Sequence, residues 1–296
     1  MKRFVLAADL GGTKLAVAGI DSLGKETTPT SKRPTPASGG RAVVESIVDA
    51  LAQVLTRDAA GIGVAVPGLA YPDGSVWAPN IPGWERMPLG EMLRARFGLP
   101  VLVESDRNAF VTGEAWQGSA KGCTDVVFVA IGTGIGAGII SGGRLVRGFG
   151  ELAGCLGWMA VHDRFLPAYK SVGCLESHVA GPGIARAAQR VFHRPIEARE
   201  VVQRAREGAA QAREVLAEAG HYLGLGLANL VDVLNPQMIV IGGGVAGAGN
   251  WLLDPARETL KQWAQPLAAK QVRICRSRLG ARAGLLGAAK LCFDQL

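Results

Sequence analysis

Asp9-Leu10-Gly11-Gly12-Thr13-Lys14 is the stretch that decides the fold of this chain. It joins two short apolar runs, residues 4–8 and 15–20, and such runs around a glycine pair are typical of two strands connected by a tight turn. Adjacent glycines leave backbone N–H groups open to an anion, most often a phosphate. Thr13 adds a hydroxyl, Lys14 a charge, and Asp9 a carboxylate that could hold hydrated Mg²⁺. Considered by itself, the hexapeptide is equally compatible with an ordinary hairpin turn.

The same pattern returns later in the chain. The run 125–131, apolar after Asp125, is followed by Gly132-Thr133-Gly134 and by a second apolar run, 135–140. A third glycine turn, Gly242-Gly243-Gly244, follows another apolar run. The long separation of the first two turns predicts two similar halves rather than a short repeat, with a cleft for a polyphosphate that carries a nucleoside.

Two familiar phosphate motifs do not fit these turns. A Walker A loop needs an additional glycine at its start and a Ser or Thr after the lysine, and the stretch 9–14 has neither. A Rossmann loop leads from a strand into a helix, whereas both glycine turns here lead into another predicted strand.

A carboxylate also stands at a predicted strand–helix junction. Ser105-Asp106-Arg107-Asn108 follows the predicted strand 100–104 and opens a predicted helix, 109–116. One interpretation is a helix cap, since Ser, Asp and Asn are all good caps. The other is a general base at the carboxyl edge of the sheet, where α/β proteins bind their ligands.

A proline-rich loop offers a possible sugar site. Asn80 lies between Trp77 and Trp84, and aromatic faces together with an amide are suited to bind a sugar. An ordered loop with buried aromatic side chains is the alternative.

Composition narrows the class of protein. The 296 residues are 48% hydrophobic and 19% charged, which suits two globular domains. No apolar run is long enough for a bilayer, and the glycine turn comes too early for a signal peptide, so we expect a cytoplasmic protein without a membrane partner. The net charge of +7 comes from scattered basic residues interleaved with glutamates, so nucleic-acid binding is not expected. Five widely spaced cysteines predict no disulfide framework.

Taken in order, these motifs resemble those of the ROK-family sugar kinases, a branch of the hexokinase and actin-like ATPases. The resemblance covers almost the whole chain and is carried by residues 9–14, 63–68, 104–108, 132–138 and 234–244. It implies an α/β fold with two similar, ribonuclease H-like domains flanking a ligand cleft. The expected N-terminal domain is 1–112 and the expected C-terminal domain is 113–281, with a helix at 282–296 that packs back on the first domain.

The resemblance also implies ATP and Mg²⁺ as cofactors and a sugar or sugar-like polyol as acceptor. Asp106 would be the base that takes a proton from an acceptor hydroxyl, and Asp9 would hold Mg²⁺ through water. Because family members are often dimers, a homodimer is possible. The implied ATP- and phosphate-binding residues are Asp9, Gly11, Gly12, Thr13, Lys14, Gly132, Thr133, Gly134, Gly243 and Gly244.

This sequence departs from the family where the acceptor and zinc are bound. The family commonly has Ala-Gly-Glu-Ile-Gly-His; residues 153–158 read Ala-Gly-Cys-Leu-Gly-Trp, so Cys155 replaces the Glu and Trp158 the His. The zinc cysteines would fall at Pro167, Tyr169 and Cys174. One cysteine without the His cannot form a closed structural site, so no zinc site is expected, and His162 is a weak substitute ligand.

The acceptor pocket is therefore expected to be unusual. Ser105 stands where the family usually has Asn, and Glu176 is retained. Buried hydroxyls need partners, so the usual glucose pattern would not be recognised unchanged. We expect a less hydroxylated sugar, an amino or acylated sugar, or a cyclitol. The expected acceptor-binding residues are Asn80, Ser105, Asp106, Cys155, Trp158 and Glu176.

Two other functions are compatible with the family. One is a sugar-responsive repressor, but such members carry a helix-turn-helix before the first phosphate motif, and only eight residues precede Asp9 here. The other is a catalytically weak sugar-sensing or partner-binding protein, which the altered acceptor pocket would allow.

Overall fold

The chain forms two compact units, as the computed structural model shows for residues 4–296. The N-terminal unit comprises the described residues through Gly122 together with Leu145–Ala153 and Arg278–Leu296. The C-terminal unit comprises Cys123–Arg144 and Gly154–Ser277. The N-terminal unit extends past the expected boundary at residue 112, because a helix, Asp106–Gln117, runs across that position.

The N-terminal unit is built on a five-stranded sheet of order β3-β2-β1-β4-β7, with a separate β5–β6 pair. β1 and β2 form an antiparallel hairpin closed by Leu10 and Leu15, and β1, β4 and β7 run parallel. The strands are β1 (Phe4–Leu10), β2 (Lys14–Asp21), β3 (Ser31–Pro34), β4 (Ala59–Val66), β5 (Leu69–Ala70), β6 (Val76–Trp77) and β7 (Val101–Ser105).

The second sheet repeats this arrangement in the order β10-β9-β8-β11-β12. β8 and β9 are antiparallel and closed by Ile131 and Ile135, while β8, β11 and β12 run parallel. The predicted pair of similar α/β halves is therefore confirmed. The strands are β8 (Val126–Ile131), β9 (Ile135–Ser141), β10 (Arg144–Leu145), β11 (Met238–Gly242) and β12 (Arg273–Arg276).

Helices cover the sheets. In the N-terminal unit they are α1 (Gly40–Val54), α2 (Leu89–Phe97), α3 (Asp106–Gln117) and, near the end of the chain, α11 (Ala283–Phe293). In the C-terminal unit they are α4 (Tyr169–Val172), α5 (Cys174–Val179), α6 (Gly181–Phe192), α7 (Ala198–Arg206), α8 (Ala210–Leu234), α9 (Asn250–Trp263) and α10 (Pro266–Gln271). Within residues 4–296, none of the helices combines the length and apolar character needed to cross a bilayer.

Alternation along β1 explains how both faces of the first sheet are buried. Phe4, Leu6, Ala8 and Leu10 belong to the core under α1, whereas Val5 and Ala7 pack with α11 on the other face. Successive side chains of a strand point to opposite faces, so a continuous apolar strand needs cover on both. On the first face, α1 buries the apolar positions that its helical period predicts: Val43, Val44, Ile47, Ala50, Leu51 and Val54.

α11 approaches its neighbours closely because it is rich in small residues. A Cβ on Gly287 would collide with the carbonyl of Ala109 on α3, and a Cβ on Gly113 with the carbonyl of Ala283. Glycine therefore sets the distance between these two helices, and α11 brings its first turn to the end of β1.

Candidate active site

Asp9 is the carboxylate at the end of β1. It is partly buried, and its carboxylate lies against Gly284 of α11, in the space that a Cβ on Gly284 would occupy. Burial, together with the negative charge of Asp106, raises the pKa of Asp9 to about 7. The two carboxyl groups therefore interact electrostatically, and such a pair of acids favours either a held proton or a nearby cation.

Asp106 is the first residue of α3, directly after β7. Burial raises its pKa to about 6, while the positive charge of Arg107 and a hydrogen bond from its backbone N–H act in the opposite direction. The Ser105 hydroxyl accepts a hydrogen bond from Nε of Arg107 at 3.3 Å and is directed to that side chain rather than to the helix cap. A base that is ionised at neutral pH but not strongly acidic is suited to accept a hydroxyl proton.

The first glycine turn is held by residues of its own unit. The Gly11 N–H donates to the carbonyl of Lys14 at 2.8 Å, and a Cβ on Gly11 would be crowded by that same carbonyl. Thr35 braces the turn, since its hydroxyl donates to the Gly11 carbonyl at 2.7 Å and its N–H donates to the Thr13 carbonyl at 3.0 Å. The side chains of Thr13 and Lys14 are exposed.

At Gly12, by contrast, no crowding by the described residues explains why the residue is glycine. Among the described residues, no heavy atom lies within 4 Å of a Cβ built on it, and the same is true of Gly132 and Gly244. None of the three has the positive φ that would favour glycine. These positions therefore leave open space at three turns, which is what close approach of a ligand to the backbone requires.

The other predicted glycines of the C-terminal unit serve the protein itself. Gly134 lies against the carboxylate of Glu176, at 2.8 Å from a built Cβ, and Gly243 combines a φ of 86° with close packing on Ile131. Phosphate contacts expected at Gly134 and Gly243 would therefore use their backbone N–H groups, whereas the Gly11 N–H is already bonded to the Lys14 carbonyl.

A cavity of about 340 Å³ adjoins two of the open glycines in the C-terminal unit. Gly132 and Thr133 form one side and Gly244 another, and α6 begins here, with the Gly181 N–H donating to the Gly132 carbonyl at 2.8 Å. The remaining lining is largely apolar, which suits the flat face of a nucleobase. The lining residues that the sequence did not predict are Gly181, Pro182, Ile184, Ala198, Arg199, Val202 and Val245.

Among the expected acceptor-binding residues of the C-terminal unit, Glu176 is the most firmly held. One carboxylate oxygen accepts a hydrogen bond from the Ile135 N–H at 2.7 Å, at the start of β9. Burial raises the pKa of Glu176, and that hydrogen bond partly opposes the effect. Cys155 is partly buried, and Trp158 has 55% of its surface exposed.

In the loop between β6 and α2, Trp84 agrees with the second alternative, an ordered loop with buried aromatic side chains. Trp84 is only 1% exposed and belongs to the core of the N-terminal unit, where its indole N–H donates to the carbonyl of Gly40 at 3.0 Å. It therefore does not line a sugar site with Trp77 and Asn80. Asn80 itself is exposed. Without Trp84 beside it, only its side-chain amide could contact an acceptor.

Tyr169, at one of the positions where the resemblance places a zinc cysteine, belongs to an aromatic cluster. The hydroxyl of Tyr169 shares a hydrogen bond of 2.9 Å with Nε2 of His178, and His178 stacks on Tyr222 with ring centroids 3.9 Å apart. The thiol of Cys174 accepts a hydrogen bond from the Val161 N–H at 3.5 Å. Across the described part of the chain, no group of three or more His, Cys, Asp or Glu residues is arranged to hold a metal.

One charged pair near Asp106 was not predicted as functional. Glu104 is buried in β7 and accepts two hydrogen bonds from Arg147, which comes from the returning segment Leu145–Ala153. Glu104 could have been singled out because it stands two residues before Asp106. The sequence around Arg147 does not indicate a role in the site, because Arg147 reaches Glu104 only through the fold.

Comparison with known proteins gives the family. The ROK family matches residues 5–295. The chain belongs to the ROK family. This ROK protein is 33% identical to a glucokinase from Halalkalibacterium halodurans, over 99% of the chain and 96% of the relative. It is 30% identical to an N-acetyl-D-glucosamine kinase from Escherichia coli O6:H1, over 96% and 97% respectively.

Solved structures agree. A ROK family glucokinase from Streptomyces griseus, in complex with glucose and AMPPNP, is 32% identical and superposes with a TM-score of 0.83 over 98% of this chain and 99% of that one. The predicted family, the fold and the enzyme class, an ATP-dependent carbohydrate kinase, are therefore confirmed.

Proposed function

We propose that this ROK kinase transfers the γ-phosphoryl group of ATP to a hydroxyl of an N-acylated amino sugar, with Asp106 as the general base. The observation that carries the assignment of the base is the position of Asp106, the first residue of α3 at the carboxyl end of β7, with its pKa raised to about 6. Ligands of α/β sheets bind at this edge.

The reaction needs a proton acceptor at the attacking oxygen. Asp106 accepts the hydroxyl proton as the acceptor oxygen bonds to the γ-phosphorus, and the bond from that phosphorus to the bridging oxygen breaks to release ADP. With a pKa of about 6, Asp106 is ionised at neutral pH and more basic than an ordinary aspartate. General-base catalysis of this type contributes on the order of 10²–10⁴-fold.

Asp9 fits a hydrated magnesium ion. Its carboxylate is partly buried, is fixed against Gly284 and has a raised pKa, so a cation would stabilise the ionised form. Magnesium retains waters and prefers carboxylate oxygens. When bound, it would neutralise charge on the phosphates.

The open turns fit the nucleotide. In the C-terminal unit, Gly132 and Gly244 leave space for phosphates to approach backbone N–H groups, and the 340 Å³ cavity beside them would take the base. In the N-terminal unit, Gly12 leaves similar space for a phosphate. Exposed Thr13, Lys14 and Thr133 supply further donors.

The acceptor class follows from the altered residues. Exposed Trp158 presents an apolar face and Cys155 a small, weakly polar side chain, where the family has a histidine and a glutamate. An acyl group needs such a surface, whereas a hydroxyl at the same place would lack a strong partner. Relatives of both kinds exist, glucokinases at 33–34% identity and an N-acetyl-D-glucosamine kinase at 30%, so the choice of acceptor rests on the altered residues.

The test is ADP release with Mg²⁺ and ATP across hexoses, amino sugars, N-acyl amino sugars and cyclitols. We expect the highest kcat/KM for an N-acyl amino sugar and near-complete loss in Asp106→Asn. The exposed Asp58→Asn variant is the matched control and should retain activity. Preference for glucose would contradict the acceptor assignment, and full activity of Asp106→Asn would contradict the base.

A second variant examines specificity directly. Restoring the family pattern with Cys155→Glu and Trp158→His should raise kcat/KM for glucose relative to the N-acyl amino sugar. If ATP binds but no acceptor is phosphorylated, the sugar-sensing alternative becomes the better account.

A further inference from the structure

Glu104 makes four hydrogen bonds although it is only 3% exposed. Its Oε1 accepts from the Ser105 N–H at 2.9 Å and from the Asn108 side-chain amide at 3.0 Å. Its Oε2 accepts from Nε and Nη2 of Arg147 at 3.1 and 2.7 Å. One oxygen thus holds the start of α3, and the other holds a guanidinium from a distant part of the chain.

The residues bound by Oε1 flank Asp106 on both sides. Ser105 precedes it, and Asn108 lies in the first turn of α3. By binding the Ser105 N–H and the Asn108 side chain, Glu104 restricts the position of Asp106 between them. Asp106 needs such support, because a general base must be held within hydrogen-bond reach of the proton that it removes.

Arg147 belongs to a segment with an unusual path. Leu145–Ala153 is part of the N-terminal unit, although the chain on both sides of it belongs to the C-terminal unit. Within the segment, Arg147 also lies 3.8 Å from Glu151, which has a φ of 63°. Burial and the negative charge of Glu104 raise the pKa of Glu151, while Arg147 opposes this effect.

The Glu104 carboxylate is buried, whereas the Arg147 side chain keeps 40% of its surface exposed. Stability alone does not explain the pair, because burying a carboxylate costs free energy and well-packed apolar side chains often stabilise a protein as well or better. The pair does supply two directional hydrogen bonds from one guanidinium, and these fix the orientation of the Glu104 carboxylate.

We propose that Glu104 and Arg147 form a clamp that positions Asp106, with Glu104 holding the first turn of α3 and Arg147 holding Glu104. This role rests on the proposed function of Asp106 as the base. Both are positioning residues, because neither is assigned a contact with the reacting atoms.

The test combines kinetics with hydrogen exchange in the full chain. Glu104→Gln and Arg147→Met should each lower kcat by about 10²-fold, the typical effect of a slightly misplaced reacting group, with little change in the KM for ATP. Arg147→Lys keeps the charge and one donor direction, so it should recover part of the loss. Arg86→Met, which breaks an exposed pair with Asp73 in the same unit, is the control and should leave kcat unchanged.

The double variant distinguishes a clamp from two independent defects. Arg147→Met alone leaves Glu104 buried without its countercharge, so adding Glu104→Gln should cost much less than the product of the single effects. Multiplicative losses, or an unchanged kcat in both single variants, would overturn the proposal.

Hydrogen exchange remains informative if no acceptor is phosphorylated. Arg147→Met should accelerate exchange of the backbone amides of residues 105–112, whereas Arg86→Met should not. A wild-type chain without transfer activity would refute the proposed function, and unchanged exchange in Arg147→Met would refute the clamp.

Discussion

Two carboxyl groups in the N-terminal unit, Asp9 and Asp106, retain their protons to higher pH than ordinary aspartates because burial penalises their charged forms. Asp106 further disfavours ionisation of Asp9. A protein that needed only stability would not keep two interacting acids here, so their raised pKa values favour a functional role.

Ionisation of Asp106 should make the protein less stable as the pH rises. Its pKa is about 6 in the folded protein against an ordinary 3.8, so the folded state binds the proton more tightly. The cost of ionisation therefore develops between about pH 4 and 6 and is complete above that range. At roughly 1.4 kcal/mol per pH unit it is on the order of 2–3 kcal/mol, more than the roughly 0.5 kcal/mol that a carboxylate gains at a helix N-terminus.

Asp106→Asn should consequently be inactive yet more heat-stable than the wild type at pH 7 to 8, with the difference vanishing near pH 4. Thermal melting across that pH range measures the effect, and Asp58→Asn serves as the exposed control. A difference independent of pH would mean that the folded-state pKa of Asp106 is ordinary.

At the scale of elements, α11 supports the site through a glycine. Gly284 lies in its first turn, and the carboxylate of Asp9 occupies the space beside it. The helix thus contributes to the geometry of Asp9 without supplying a reactive group.

Gly284→Ala should displace the Asp9 carboxylate, because the added methyl group would overlap it. We expect the Mg²⁺ concentration for half-maximal activity to rise by about 10–100-fold, as for other changes that reorient a metal-binding carboxylate. Lys290→Ala, a change on the same helix, should behave as wild type. Unaltered magnesium dependence in Gly284→Ala would argue against Asp9 as the magnesium residue.

Elements with strong periodicity could be predicted from the sequence. The six apolar positions of α1 and both glycine hairpins agree with the structure because their patterns are local. Trp84 could not be placed, since burial of an aromatic in a proline-rich loop depends on the core that it meets. The Glu104–Arg147 pair was missed because 43 positions separate the partners in sequence.

At the scale of the whole molecule, net charge should influence nucleotide binding. The chain carries +7, and magnesium-bound ATP is an anion, so long-range attraction should favour their encounter. An uncharged sugar experiences no comparable attraction.

Raising the salt concentration from 0.05 to 0.5 M should therefore increase the KM for ATP several-fold, because it shortens the range of electrostatic attraction. The KM for a neutral acceptor, determined in the same series, should change little. Equal effects on both substrates would indicate a general effect of salt on the enzyme.

The path of the chain also determines the order in which the protein can fold during synthesis. Leu285, Leu286, Ala289 and Cys292 pack against the first strand, so the core of the N-terminal unit lacks one side until α11 has left the ribosome. The C-terminal unit ends at Ser277 and has all its residues earlier. Domains usually fold in the order of their translation. Here the N-terminal unit is translated first but completed last. Its apolar strands therefore stay partly uncovered on the nascent chain and need protection from aggregation until α11 is made.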